Sequence, residues 1–386
     1  MTLSRRAFLG TACSAAASPL MTPITFAAAP GDKRLVVIVL RGGMDGLGVV
    51  QPYGDRNLSA LRPNLALGPG DGLADLDGFF GLYEPFHSLL PMWRAGELGF
   101  VHAVSTPYRN KRSHFDGQDM LENGSGDPSG QAPGIRDGWL NRAIGLIPGA
   151  HADFAMAVGQ DHMLLLDGAS PTGAWSPANE LTLEDDERQL LSLLYADDPL
   201  FSAALSKAEM FAGDTMQSKA RRETGETLAR FAAERLNGPA RIAAFSLGGW
   251  DTHRAQKNAL TRAGKQLSSA LTTLKQGLGR NWQNTAVIAI TEFGRTAREN
   301  GSLGTDHGTG GAMVLAGGAI RGGQVLGQWP GLGEGALYQN RDLMPTDDVR
   351  RYAGWAMRAM FGLASSDLER EVFPGLDLGR DPGMFA

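Results

Sequence analysis

The sequence predicts an α/β fold built around a mainly parallel sheet, and two observations carry this prediction. Short, continuous apolar runs such as Leu35–Leu40 and Ile242–Leu247 have the length and composition of strands that are covered on both faces. Longer segments with apolar residues at helical spacing, such as Ala255–Leu278, lie between such runs. Strands that alternate with helices in this way favour a parallel sheet between helices.

The predicted elements follow one another along most of the chain. The predicted strands are Leu35–Leu40, Leu98–Val104, Ala155–Val158, Ile242–Leu247, Thr285–Ile290 and Ala312–Ala316. The predicted helices are Glu84–Ala95, Asp186–Tyr195, Met216–Leu236, Ala255–Leu278 and Thr346–Phe361. Residues 160–236 have few strand signals and several helical ones, so we predict a helical insertion or cap there, within one domain that spans residues 30–386.

The composition is that of a packed globular protein. The chain has 386 residues, of which 42% are hydrophobic and 20% are charged. This length suits one large domain or two. The formal net charge of −5 argues against general binding to nucleic acid, so no nucleic-acid partner is expected.

Residues 1–29 have the features of an export signal. Arg5 and Arg6 form a twin-arginine motif, an Ala-rich run follows, and Ala27–Ala29 offer a cleavage point. The run is too short and too often interrupted by Ser, Thr and Pro to span a membrane stably. We therefore predict a periplasmic protein that is exported folded by the twin-arginine pathway. Its mature form would lack disulfides, because the one cysteine, Cys13, lies in the signal.

The segment Phe245–His253 is the clearest sign of a functional site. The predicted strand ends at Leu247, two glycines follow, and Asp251 and His253 come next. An Asp and a His two residues apart in an extended chain point to the same side. Carboxylate and imidazole together suit Zn²⁺ or another first-row metal. The alternative is a turn in which Asp251 caps the next helix and His253 lies at the surface.

Similar residues recur at the ends of other predicted strands. Asp45 follows the first strand, Glu292 follows Thr285–Ile290, and Asp306 and His307 precede the last strand. Sites in α/β sheets lie at the carboxyl ends of strands. The predicted metal ligands are Asp45, Asp251, His253, Glu292 and one or both of Asp306 and His307. The alternatives are a Gly-Asp turn at Asp45, a salt bridge between Glu292 and Arg295, and a turn capped by Asp306.

Ser113 follows three cations and stands at the start of a predicted helix. With Asp116 it fits a capping box, which is one interpretation. The other is a nucleophile, because a helix N-terminus attracts anions and a nearby metal lowers the pKa of a hydroxyl. Cations such as Arg112 would then favour a phosphate- or sulfate-like substrate. The predicted substrate-binding residues are Arg41, Arg112, His114 and Arg295; His114 is alternatively a metal ligand.

Five motifs, together with the twin-arginine start, resemble the exported bacterial family called domain of unknown function 1501. They are RGGMDGL, SHFDGQDMLE, GGWDTH, TEFGRT and GTDHG, and the resemblance covers nearly the whole mature chain. The family is grouped with the alkaline phosphatase and sulfatase superfamily. The resemblance therefore implies a central mixed, mostly parallel sheet between helices, with metals at strand ends. It also implies an acid after the first strand at Asp45, a nucleophile at Ser113, a later Asp and His at Asp251 and His253, and a final His at His307.

The chain departs from the superfamily pattern at two places. The superfamily usually has Asp-x-x-x-His where this chain has Asp251-Thr252-His253, and Asp-His where it has Glu292-Phe293. One ligand of a two-metal site is therefore missing. A single metal, an altered second site and no metal all stay open, and activity does not follow from the fold alone.

These observations lead to one functional hypothesis and one rival. We expect a periplasmic, metal-dependent hydrolase of phosphate or sulfate esters that uses a divalent metal (Zn, Mn or Ca) on an anionic small-molecule or glycan ester. The rival is a non-catalytic exported protein that binds an anionic glycan or an exported partner protein through a degenerate phosphatase-like site. The cations around Ser113 favour the enzyme, and the missing ligand favours the rival.

Overall fold

The computed structural model describes residues 31–128, 134–177 and 223–386. The predicted signal at 1–29, the predicted helix Asp186–Tyr195 and residues 178–222 of the predicted insertion lie outside the described residues. Twin-arginine export and a cap formed by the insertion therefore stay predictions.

Most strands join one mixed sheet at the centre of the described chain. In chain order the strands are β1 (Arg34–Leu40), β2 (Val50–Gln51), β3 (Ala74–Asp75), β4 (Gly81–Leu82), β5 (Leu98–Ser105), β6 (Ala155–Val158), β7 (Gly173–Trp175), β8 (Ile242–Leu247), β9 (Thr285–Ile290), β10 (Gly311–Ala316), β11 (Val325–Leu326) and β12 (Asp347–Asp348). The central sheet has the order β11-β5-β10-β9-β1-β8-β6-β7, with β12 beside β5, and β2, β4 and β3 form a small separate sheet. Only β10 runs against its neighbours, β5 and β9. The predicted mostly parallel sheet is confirmed.

Helices cover both faces of this sheet. They are α1 (Gly46–Val49), α2 (Leu58–Leu61), α3 (Leu90–Arg94), α4 (His114–Asn123), α5 (Trp139–Gly145), α6 (Gly225–Asn237), α7 (Gln256–Leu278), α8 (Val349–Phe361) and α9 (Ser365–Asp367). Shorter helical turns lie at Pro69–Asp71, Glu84–Leu89, Leu164–Leu166, Gly279–Asn284 and Leu368–Val372. The predicted helix Glu84–Ala95 is thus a 3-10 segment that continues into α3. No described helix combines the length and the apolar character needed to cross a lipid bilayer.

The two faces of β1 belong to two separate cores. Val36, Ile38 and Leu40 pack on one face with residues of α6 and α7. Their neighbours in the strand pack on the other face with residues of α5 and α8. Every residue of β1 is buried, which explains why the strand is apolar from Leu35 to Leu40 and does not alternate with polar residues.

The two described ends of the predicted insertion belong to the main layers. The strand β7 pairs in parallel with β6 at the edge of the central sheet. The helix α6 buries Leu228, Phe231 and Leu236 in the core that it shares with α7. Only the middle of residues 160–236 is therefore left for a separate cap.

Candidate metal centre

One edge of the central sheet collects the segments that carry the predicted site residues. The carboxyl ends of β1, β5, β8 and β9 lie at this edge, and so does the amino end of the antiparallel β10. His114 is the first residue of α4, which follows β5, whereas His307 precedes β10. Gly42 permits a close approach here, because its φ is 119° and a Cβ would lie 2.5 Å from the backbone nitrogen of Asp251.

Three imidazole rings converge on a single carboxylate oxygen. Oδ1 of Asp251 lies 2.9 Å from Nε2 of His253, 3.2 Å from Nε2 of His307 and 3.5 Å from Nε2 of His114. The Nε2 atoms of His253 and His307 are 2.9 Å apart. Four ligands about 2.0 Å from a tetrahedral Zn²⁺ ion stand about 3.3 Å from one another. The ligand atoms of His114, Asp251 and His307 all lie within 4.8 Å of one another, so these three side chains could hold one metal ion. His253 contacts Asp251 and His307 at 2.9 Å but does not belong to this compact group.

The other nitrogen of each ring is bonded to an acceptor. The Nδ1 partners are Oε1 of Glu292 for His114 (2.7 Å), Oδ1 of Asp306 for His253 (3.2 Å) and the carbonyl oxygen of Arg112 for His307 (2.7 Å). Ionised carboxylates and carbonyls only accept hydrogen bonds, so each Nδ1 donates. Each neutral ring then has its Nε2 lone pair directed at Asp251, which is the tautomer that metal-binding histidines use.

Two further observations favour a cation among these side chains. Nε2 of His114 is buried and has no hydrogen-bond partner in the described part of the chain. A buried acceptor nitrogen without a partner is unfavourable, and a bound cation or a hydrogen-bond donor would satisfy it. The facing Nε2 lone pairs of His253 and His307 also repel each other unless a proton or a cation lies between them. Three imidazole nitrogens and one carboxylate oxygen suit Zn²⁺ or another first-row metal better than Ca²⁺, which takes oxygen ligands.

The pKa values of two ligands move towards the forms that bind metal. Burial lowers the pKa of His307 below its usual value and so favours the neutral ring. Burial acts to raise the pKa of Asp251, but the hydrogen bond (2.7 Å) and the charge of Arg295, together with the charges of His253 and His114, bring this pKa below the ordinary value. In contrast, the hydrogen bond to Glu292 raises the pKa of His114, because the carboxylate stabilises the protonated ring.

Glu292 and Asp306 were predicted as metal ligands, but their carboxylates lie behind the imidazole rings. Glu292 is fully buried, and its Oε1 accepts hydrogen bonds from the Gly42 amide (2.8 Å) and from Gln118 (3.0 Å) as well as from His114. Oδ1 of Asp306 accepts one from Asn300 (3.0 Å) in addition to that of His253. Both carboxylates therefore orient a histidine and do not face the centre.

Asp45 was also predicted as a ligand, but the structure places it in an ion pair with Arg62. The two side chains are each 1% exposed, and the guanidinium donates to both carboxylate oxygens at 2.6 and 3.0 Å. Gln256 donates to the same carboxylate. Because both oxygens are occupied by these donors, Asp45 is not brought into the centre. The prediction missed Arg62 because no pattern links it with Asp45.

Two of the arginines predicted to bind substrate are engaged by other groups of the protein. Arg41 contacts Glu122 (2.8 Å) and Gln118 (2.9 Å). Arg295 is buried and donates to Asp251 and to the carbonyl of Thr305 (2.6 Å), so it positions Asp251. Their donors are therefore taken by groups of the protein and not by an external anion.

Arg112 differs from these two arginines because its side chain is only loosely bound. Its nearest carboxylate, Asp342, is 3.5 Å away. Its Nε has no hydrogen-bond partner in the described part of the chain. Its backbone has a φ of 55° and lies in the left-handed region, and its carbonyl is the one that holds His307. This arginine therefore keeps one buried donor that no group of the described chain uses.

Ser113 is the N-cap residue of α4. Its Oγ accepts a long hydrogen bond of 3.4 Å from the amide of Asp116, and its own amide donates to the hydroxyl of Tyr108 (2.9 Å). The capping interpretation is thus the observed geometry, and a nucleophilic role stays a prediction. The next residue, His114, was predicted to contact substrate or to bind metal, and the structure places it in the cluster.

Comparisons with known proteins identify the family of this chain. No curated protein matches the chain. The chain is similar to crystal structures of the C-terminal periplasmic domain of EcEptC from Escherichia coli, at 9% identity. One has a TM-score of 0.41 and coverage of 93% of each chain, and another, in complex with Zn, has a TM-score of 0.38 and coverage of 75% of this chain and 74% of that one.

A protein in the alkaline phosphatase superfamily from Vibrio parahaemolyticus is similar at 11% identity. Its TM-score is 0.36, and the match covers 77% of this chain and 63% of that one. The family model described as "Protein of unknown function (DUF1501)" matches residues 102–350, more than half of the chain, and the chain therefore belongs to this family.

Proposed function

We propose that this protein is a metal-dependent hydrolase of phosphate or sulfate esters that acts in the periplasm. The observation that supports it most strongly is the convergence of His114, His253 and His307 on Oδ1 of Asp251. These residues would hold one divalent ion, and their donor atoms favour zinc. When bound, such an ion acts as a Lewis acid that polarises an ester oxygen and lowers the pKa of a hydroxyl group.

Ser113 is the proposed nucleophile. It directly precedes the ligand His114, and in the described part of the chain its Oγ accepts a hydrogen bond but donates none. The 3.4 Å bond to Asp116 is at the long end of the range, so the hydroxyl can turn away at small cost. Oγ would bond to phosphorus or sulfur as its proton passes to solvent, and the ester alcohol would leave with a proton from water. A second water molecule would then cleave the serine ester, which releases phosphate or sulfate and restores the hydroxyl of Ser113.

The anionic group of the ester would be held by Arg112. Its unused Nε donor and its loose contact with Asp342 leave the guanidinium free to turn towards a phosphate or sulfate. Lys111, next to it, is exposed and adds a second positive charge. Arg41 and Arg295 are not part of this proposal, because their donors are occupied.

A non-catalytic binding protein is the second candidate. The observation in its favour is that the hydroxyl of Ser113 already serves as the cap of α4. In addition, the carboxylates of Asp45, Glu292 and Asp306 are turned towards other residues, which leaves ligands for one ion. Such a site would hold an anionic glycan or a carboxylate of an exported partner protein without cleaving it.

Metal content is the first test of both candidates. Wild-type protein exported by its own signal should hold close to one zinc ion per chain by elemental analysis. His253→Ala and Asp251→Ala should lose it, because each removes a converging ligand. His162→Ala is the matched control, because His162 is exposed and pairs with Asp167 (2.8 Å) away from the centre. The proposed metal-dependent hydrolase would be refuted if the wild-type protein contains no zinc and its thermal stability does not change when metal is added.

Two variants of Ser113 then separate catalysis from capping. Asn is as good an N-cap residue as Ser but has no hydroxyl, whereas Ala lacks both functions. We expect zinc-loaded Ser113→Asn and Ser113→Ala to lose hydrolysis of aryl phosphate and sulfate esters while they retain zinc. Wild-type rates in Ser113→Asn would refute the nucleophile. Zinc binding without any ester hydrolysis in the wild type would leave the non-catalytic candidate.

A further inference from the structure

Two large apolar side chains remain exposed in the described part of the chain, and both belong to segments that carry the metal centre. Phe115 is 84% exposed and Leu303 is 52% exposed. Phe115 directly follows the ligand His114. Leu303 lies three residues before Asp306, and its carbonyl accepts a hydrogen bond from the amide of Gln256, three residues after His253. Apolar exposure in this part of the chain is thus concentrated beside the site.

Both side chains are held in their exposed positions by the surrounding structure. Phe115 is the second residue of α4, whose inner side buries Gly117, Met120 and Leu121. Leu303 has a φ of 55°, in the left-handed region that a branched side chain rarely adopts. Strained backbone of this kind persists where its surroundings enforce it, and it is frequent at ligand-binding sites.

Asn300 fixes the loop that carries Leu303. Its side-chain nitrogen donates to the carbonyl of His253 (3.0 Å) and to Asp306 (3.0 Å). Its side-chain oxygen accepts from the amides of Ser302 (2.9 Å) and Gly304 (3.1 Å). The loop and the histidine are therefore one rigid unit, so that Leu303 keeps a constant position relative to the centre.

We propose that Phe115 and Leu303 bind the apolar alcohol part of the substrate, so that the substrates are anionic amphiphiles. These are phosphate or sulfate esters of an alkyl chain or of an aromatic alcohol. Lys111 and Arg112 precede Phe115 by only a few residues, so a cationic and an apolar element stand together on one segment. The centre is open on the side of Asp251, His253 and Asp306, whose side chains are about half exposed. This inference rests on the proposed function and adds its substrate class.

The test uses phosphonates, which carry the same anionic group but no ester bond that a hydrolase could cleave. Titration calorimetry of zinc-loaded protein would compare methylphosphonate, octylphosphonate below its critical micelle concentration, and phenylphosphonate. Covering an exposed aromatic or aliphatic side chain contributes about tenfold or more to affinity. We expect octylphosphonate, phenylphosphonate or both to bind at least about tenfold more tightly than methylphosphonate, and the stronger of them identifies the alkyl or the aromatic alcohol.

Three variants and one control decide whether the two side chains cause this preference. Phe115→Ser and Leu303→Asn should each reduce it several-fold and leave zinc content and methylphosphonate affinity unchanged; Asn tolerates the left-handed backbone at position 303. Phe115→Leu should restore most of it. Lys111→Ser should weaken all three phosphonates by the same factor.

Two results would overturn the inference and differ from a failure of the proposed function. The first result is equal affinity for the three phosphonates, or a preference that persists in Phe115→Ser and Leu303→Asn. It would refute recognition of an apolar group by these two side chains but would not contradict zinc binding or anion binding. The second result is zinc binding without affinity for any phosphonate. It would refute the proposed ester hydrolase and therefore also the proposed substrate class.

Discussion

Replacement of Asp45 by Asn removes one partner of a buried ion pair. The two hydrogen bonds from Arg62, at 2.6 and 3.0 Å, join side chains that are each 1% exposed. In Asp45→Asn the guanidinium of Arg62 is left in the protein interior without its counter-charge. Loss of one partner of a buried pair typically costs about 3–5 kcal/mol in the free energy of unfolding. For a chain of this length we expect the Tm to fall by about 4–6 °C.

Chelator-treated protein is the right sample for this measurement, because bound metal would add its own binding energy to the stability. Urea unfolding would give the free energies of wild type, Asp45→Asn, Arg62→Met and the double variant. The double variant should lose clearly less than the sum of the single losses, because it leaves no unpaired charge in the interior. Zinc content of the protein as exported should be the same in Asp45→Asn as in the wild type.

The opposite pattern would refute the assignment of Asp45 to the ion pair. If Asp45→Asn unfolds with the free energy of the wild type but loses its zinc, Asp45 acts as a metal ligand. The hydrogen bonds from Arg62 would then be incidental. Asp45→Asn could also lose both stability and zinc. Arg62→Met then shows whether the zinc is lost through destabilisation or through loss of a ligand, because it should destabilise the protein without removing metal if Asp45 has no ligand role.

Three further variants test the surroundings of the centre and of the core. Glu292→Gln should weaken zinc binding about 10–100-fold in a competition with a chelator, because the buried carboxylate orients His114. Asp306→Asn should weaken zinc binding less than Glu292→Gln, since the Asp306 side chain is half exposed and its bond to His253 is longer, at 3.2 Å. Equal losses of zinc affinity in the two variants would contradict this expectation. Burial lowers the pKa of His102 to about 4 from an ordinary 6.5. The unfolded chain therefore takes up the proton first, and stability present above pH 6.5 falls by roughly 3 kcal/mol as the pH drops towards 4. His102→Gln should flatten this part of the curve of unfolding free energy against pH, and an unchanged acid loss would show that other groups cause it.

The strands of the central sheet were predictable because burial on both faces makes their sequences continuous apolar runs. Thr285–Ile290 and Ile242–Leu247 have the same bounds in the structure as in the prediction. The antiparallel direction of β10 could not be inferred, since direction depends on where the chain turns and not on the composition of the strand. The short strand β7 was missed because Gly173–Trp175 has neither the length nor the apolar character of a central strand.

The location of the site was predictable, but the roles of its carboxylates were not. The neighbours of a carboxylate come from distant parts of the chain: Glu292 meets His114 across 178 positions, and Asp45 meets Arg62 across 17. An acid that follows a strand and a glycine has the same local sequence whether it binds a metal or an arginine. The role is decided by which donors reach its oxygens, and this depends on packing between segments.

The arrangement of charges bears on the proposed binding of an anionic substrate by the loop before α4. Asp251 is paired with the buried Arg295. The carboxylates of Glu292 and Asp306 reach the centre through His114 and His253, and together they balance the two charges of a divalent ion. The centre with its ion is then close to neutral, so attraction of a phosphate or sulfate needs further cations. Lys111 and Arg112 supply them on the segment that also carries Ser113 and Phe115. Neutralisation of Lys111 should therefore weaken binding of the anion and leave the affinity for zinc unchanged.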